Sequence, residues 1–203
     1  MKTIKSLMVM GVLIVLSGCS IKQLGYFQVE PYSKPFINKI ATPISIVLMD
    51  DVKNDLVVKG VGLRKMPVTE FRRSFGESMK KTLEKNFEVI NIADSQPEEG
   101  LSLVIYRVKP FWKINSQSSS TYGSGRDTYE TTTALVSAAF QFETTLFLNN
   151  VKLKSADLTV YSDDQMSYVF DAHPVFKSGL VKTCETIGKE IFIDEVIEQI
   201  NNH

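Results

Sequence analysis

The chain predicts an α+β fold, a mostly antiparallel sheet with two amphipathic helices packed on one face. Three observations lead there. Val68, Phe71, Phe75, Met79 and Leu83 recur every three to four residues, the period of a helix with one buried stripe. Residues 101–161 alternate between apolar and polar side chains over long stretches, the period of half-buried strands. The elements fall in the order β-β-α-β-β-β-β-α, and helices laid on one face of such a sheet give two layers around one core.

Residues 1–18 open with Lys2 and Lys5, continue through an apolar run from Leu7 to Leu16, and end in small residues. That is the layout of a secretory signal peptide. The apolar run is too short to span a bilayer comfortably as a helix. The signal ends in Leu16-Ser17-Gly18-Cys19, which resembles the lipobox of bacterial lipoproteins. The resemblance implies that the thiol of Cys19 takes a diacylglyceryl group, that the peptide is cut before it, and that the new amino end is acylated. Several acyl chains hold a protein firmly, whereas one holds it marginally. Ser20 in the next position resembles the outer-membrane address of lipoproteins in Gram-negative bacteria. The expected location is therefore the outer membrane, lipid-anchored and facing the periplasm.

The mature chain is expected to hold a lipidated tether, 19–42, and one α+β domain, 43–203, since its length suits a single core. The tether lacks a clean period. Prolines 31, 35 and 43 oppose helix, and Tyr26, Phe27, Tyr32 and Phe36 suit a segment that lies against the domain or a partner.

Within the domain, Ile44 to Met49 is an apolar, β-branched strand, and Leu56 to Leu63 is a second strand weakened by Gly60 and Gly62. The helix is expected over Val68 to Asn86, with Thr69 as N-cap and Lys80, Lys81 and Lys85 near its C-terminal end. Phe87 to Ile92 alternates as a strand. Leu101 to Ile114 is a long strand in which Pro110 marks a bulge, an edge or an end. Asn115 to Asp127 is a Ser/Gly-rich loop with little to bury. Thr128 to Leu148 carries Ala138, Phe140, Phe142, Thr144, Leu146 and Leu148 on one face. Asn149-Asn150 suits a tight hairpin turn. Val151 to Tyr161 returns, with a parity change that suggests a bulge near Ser155.

The last helix is expected over Ser178 to about Asn201. Leu180, Cys184, Ile187 and Ile191 form one stripe; Ile193, Val196, Ile197 and Ile200 lie almost opposite. One flat core cannot cover both. Either the helix breaks near Gly188, or its end is clamped between two surfaces, or the second stripe binds another protein. Those four residues are the candidate partner-binding surface.

Several chemistries find little support. The precursor has 23 basic and 23 acidic residues, and loss of Lys2 and Lys5 leaves 21 against 23, about −2. Nucleic-acid binding needs a clustered basic face, and none is present. No metal site is expected: the two histidines are His173 and His203, and Asp50-Asp51 and Asp163-Asp164 lack EF-hand spacing. Asp171-Ala172-His173 comes without a G-x-S-x-G elbow, so no catalytic residues and no cofactor are assigned. With Cys19 lipidated, Cys184 has no disulfide partner and sits at core spacing. Tyr106, Phe111 and Trp112 suit either an aromatic platform for sugars or sheet packing.

Lipobox, tether, early strand, amphipathic helix, long hairpin strands and closing helix together resemble small accessory lipoproteins of the envelope. Examples are the YajG-type lipoproteins and the auxiliary lipoproteins of lipid-transport systems. The resemblance implies a membrane-anchored, non-catalytic structural or assembly subunit whose partners are other envelope proteins. A second class is a binding module for a small envelope ligand such as lipid, glycan or peptidoglycan, and a third is a hydrolase, which loss of activity on changing His173 would favour.

Overall fold

The computed structural model describes residues 22–36, 38–60, 65–122, 129–167 and 172–202. The lipobox with Cys19, Ser20, residues 61–64 of the expected second strand, Asp171 and His203 lie outside these residues. The elements are β1 (Ile44–Leu48), β2 (Leu56–Val58), β3 (Met66–Val68), α1 (Phe71–Leu83), β4 (Ile90–Ala93), β5 (Leu101–Tyr122), β6 (Tyr129–Leu148), β7 (Val151–Tyr161), β8 (Met166–Ser167), α2 (Ala172–Ile191) and α3 (Asp194–Asn201).

The main sheet runs β4-β1-β5-β6-β7, with β8 also pairing β6, and β2 and β3 form a small hairpin of their own. The sheet is mixed rather than mostly antiparallel. β1 pairs in parallel with both β4 and β5. The reason is connectivity: α1 carries the chain back between β1 and β4, and residues 94–100 carry it back again, from Ala93 beside Val47 to Leu101 beside Ile44, so both strands run the same way as β1. From β5 onward the ladder is antiparallel. Ile44, Ile46 and Leu48 on β1, Leu103 and Ile105 on β5, and the even-numbered β6 face from Ala138 to Leu146 are buried. α1 covers β1 and β4; α2 covers β6 and β7.

Small residues set the closeness of these layers. A Cβ on Gly179 of α2 would stand 2.6 Å from Phe140 and 3.0 Å from Ala138. The Phe176 ring packs on Phe140, Phe71 and Trp112 at 5.1, 6.2 and 6.2 Å between centroids.

Several boundaries differ from the sequence reading for identifiable reasons. Val68 belongs to β3, and α1 begins at Phe71. Its N-cap is Glu70 at φ 54, without a side-chain cap. The loop before it does the capping: Phe71 N donates to Asn54 O at 2.7 Å and Glu70 N to Asp55 Oδ1 at 3.2 Å. Thr69 instead accepts a hydrogen bond from Gln23. The β7 bulge sits at Leu153, since Leu146 pairs Lys154 while Phe147 pairs Lys152. Asn149 and Asn150 take φ 50 and 62, the mirror-image turn that suits a two-residue hairpin. The largest difference concerns residues 115–127. Ladder pairing persists to Tyr122↔Tyr129, so most of the expected loop is strand.

The closing helix is two helices. α2 starts at Ala172, earlier than expected, and passes through Gly188 intact. The break comes at Ile193, extended at φ −76 and ψ 161, and α3 follows.

Candidate functional site: a strap, a cleft and a projecting arm

The expected tether is a strap that lies in the groove between α1 and α2. Leu24, Phe27, Val29 and Ile40 are buried in the common core. The groove is prepared by Ser74, Ser78 and Thr82, one row of α1 at four-residue spacing and fully buried. Small side chains let an extended chain come close, and their hydroxyls supply acceptors. Phe27 N donates to Ser74 Oγ at 3.1 Å and Val29 N to Ser78 Oγ at 3.3 Å. Ser78 Oγ donates in turn to Ser74 O at 2.7 Å. The far end is fixed by Glu185 and Asn86, whose side-chain oxygens accept from Tyr32 N at 2.8 Å and Phe36 N at 2.9 Å. At its near end, Lys22 O lies 2.8 Å from His173 Nε2. The strap thus runs with both helices, entering at their N-terminal ends and leaving past their C-terminal ends.

Where it leaves, a cleft of about 910 Å³ opens between strap residues 32–36, 38 and 39, the end of α2 and α3. Phe36, Phe192 and Ile197 give it apolar wall; Lys34, Lys39 and Lys189 stand with Glu185 and Asp194 on its polar side. Phe36 and Phe192 are 6.5 Å apart, and Phe87 packs on Phe192 at 5.3 Å.

The four residues of the second stripe do not form one bare face. Val196 and Ile200 are 3% and 2% exposed, inside the core. Ile193 and Ile197 are partly buried against it. The chain turns at Ile193, which folds half of the stripe inward, so only Ile193 and Ile197 keep surface for a partner. Phe36 of the strap packs against the same core.

Cys184 is fully buried, and burial pushes its thiol well above the ordinary range, with the Thr82 hydroxyl opposing that only in part. A thiol so placed is no nucleophile. Asp163 pairs with Lys182 at 3.0 Å, and Asp50 and Asp51 are exposed turn residues. Among the described residues, no group of three or more potential metal ligands comes together. The aromatic platform is divided: Trp112 is buried against Phe176, while Phe111, next along the strand, points to the opposite face. On that opposite face Arg107 lies 3.5 Å from Glu143 and 3.8 Å from Asp157. None of the described helices is long and apolar enough to cross a membrane.

Beyond the Ser116↔Leu135 pair, the last that β8 also joins, β5 and β6 continue as a two-stranded arm. Residues 115–121 are all exposed. The arm is rich in hydroxyls, with Ser118↔Thr133, Ser119↔Thr132 and Ser120↔Thr131 as cross-strand pairs.

No family model matches this chain. No curated protein matches it either. Solved structures do. Protein XCC0632 from Xanthomonas campestris, described under family DUF330, superposes with a TM-score of 0.54 at 9% identity, covering 90% of this chain and 99% of its own. The two share a fold. Weaker likenesses are a putative neuraminyllactose-binding hemagglutinin homolog from Helicobacter pylori (TM-score 0.46, 10% identity, 86% and 97% covered) and a minor lipoprotein from Acinetobacter baumannii (0.42, 11%, 80% and 96%).

Proposed function

We propose that this chain is a lipid-anchored protein of the bacterial outer membrane, facing the periplasm, and that it serves as a non-catalytic structural or assembly subunit. The observation that carries the reading is Leu16-Ser17-Gly18-Cys19 at the end of a signal peptide. The strap supports it, because the chain emerges at Lys22 on the surface, three residues after the lipidated position. The buried thiol and the dispersed carboxylates favour a non-catalytic role.

Mass spectrometry of the mature amino end tests the anchor. A lipidated Cys19 is expected, and an unmodified amino end beyond residue 19 refutes it. For the subunit role, Ile193→Glu with Ile197→Glu should leave the monomer folded while a complex crosslinked in the native envelope is lost. If the complex survives, these residues are not its interface.

A second reading is favoured by the cleft, whose volume and mixture of aromatic and charged walls suit a small amphipathic ligand. Binding of such a ligand, abolished by Ile197→Glu with the fold intact, would support this reading.

A further inference from the structure

The anchor and the arm leave the body at the same end. β5 runs parallel to β1, from Leu101 beside Ile44 to Ile105 beside Leu48, and continues outward from there. α1 begins at that level, where Arg72 donates to Met49 O at 2.7 Å. α2 begins further out, with Phe176 against Trp112. Its His173 holds Lys22, the first described residue of the strap. The opposite end is marked by Phe192 on Phe87 and by Ile44 beside Ile90. Chain entry and arm therefore share one pole, and β4 begins at the other.

Lengths then decide the outcome. From Ser116 to Tyr122 the arm continues for six residues, about 20 Å at strand rise. Cys19 is three residues from Lys22, a leash of at most about 10 Å. A molecule held by lipid on Cys19 has an arm longer than its leash, pointing toward the membrane. The arm cannot enter hydrocarbon, because residues 116–121 of one strand and 130–133 of the other are polar throughout and a two-stranded ribbon has open edges. It must lie at the polar surface. A register shift between Ile114 and Ser116 allows for that, since a bulge bends and twists a ribbon where it leaves its sheet.

We infer that the β5–β6 arm rests on the lipid headgroup layer and acts as a strut that sets the standing angle of the body. Neutral hydroxyl and amide groups suit such a contact, since they exchange hydrogen bonds with headgroups without demanding anionic lipid. The cleft, near the opposite pole, is thereby held away from the membrane and open to the aqueous compartment. The inference rests on the proposed lipid anchor.

The test separates the two. A lipid is coupled through maleimide to Cys19 of chain 19–203; Cys184 is buried and is spared. This removes any dependence on lipidation in the cell, which the mass of the cell-made protein decides separately. A fluorophore is clicked onto an azido residue at position 118 in the arm, or at position 89, which is exposed and lies at the far pole. The protein is bound to phosphatidylethanolamine–phosphatidylglycerol vesicles carrying a headgroup spin label. Quenching several-fold stronger at 118 than at 89 is expected. Equal quenching, or stronger quenching at 89, overturns the strut. If position 118 is protected in pure-lipid vesicles and changes only when native envelope proteins are present, the arm belongs to a protein partner and the lipid surface is wrong.

Discussion

Phe27→Ala tests whether the strap belongs to the fold. Phe27 is 6% exposed and meets Phe176 edge-on at 6.0 Å between centroids. Burying a phenyl ring is worth about 1.5–3 kcal/mol. The aromatic pair adds about 0.5–1.5 kcal/mol. The expected loss is then about 2–4 kcal/mol, or roughly 5–15 °C in Tm for a domain of this size. Urea unfolding of chain 19–203, followed by far-UV circular dichroism, measures it as a fall in midpoint at unchanged slope. Tyr26→Ala is the control. Tyr26 is 42% exposed, with Arg73 stacked 4.4 Å from its ring, and should cost about 1 kcal/mol or less. If Phe27→Ala also loses less than about 0.5 kcal/mol, the strap is a loose linker and the reasoning fails.

Gly179→Ala should destabilise by about 1–3 kcal/mol in the same assay, because the new methyl has no room between Phe140 and Ala138. Asn149→Ala should cost about 1.5–2.5 kcal/mol, as it places a Cβ residue without a polar side chain at φ 50 and removes the 2.7 Å hydrogen bond from Gly100 N to Asn149 Oδ1. Cys184 should react with a thiol reagent at the rate of unfolding rather than that of a free thiol. Its folded pKa is raised, so the native state keeps a proton that the unfolded chain releases. The associated stability is therefore full below the ordinary thiol pKa, about 8.5, and should decline as pH rises past it.

The α1 stripe, the even face of β6, the Asn149-Asn150 turn and the first stripe of α2 are all legible in the sequence, because each depends on residues near one another along the chain. Parallel pairing of β1 is not, since strand partners are chosen by the path of α1 over the sheet. Residues 115–121 are exposed, which in sequence looks like loop. A ribbon of two antiparallel strands satisfies half its backbone groups without a core, so hydrophobic content is the wrong measure there. The Ser74-Ser78-Thr82 row is a signal that sequence reasoning can use and here missed: three small polar residues at four-residue spacing beside a buried stripe mark a groove for another chain. Val196 and Ile200 fall on the wrong side of a continuous helix, and one extended residue at Ile193 rotates those two into the core.

The strap also bears on what an anchor does to this domain. With the proposed lipid on Cys19, tension would enter at Lys22, and the first attachments it would meet are Leu24, bonded to Pro67 O and Thr69 N, and then Phe27 in the core. Pulling from that end loads these contacts before it reaches Tyr32 or Phe36. Beside the cleft the strap is fastened a second time: Glu185 accepts from Tyr32 N, Asn86 accepts from Phe36 N and donates to Ser33 Oγ, and Ile40, 3% exposed, bonds through its backbone to Asn86 and Glu88. Tension at the proposed anchor would thus meet Leu24 and Phe27 before it met the strap beside the cleft. Two separate sets of contacts, one at the entry and one beside the cleft, therefore stand between such a pull and the shape of the cleft wall.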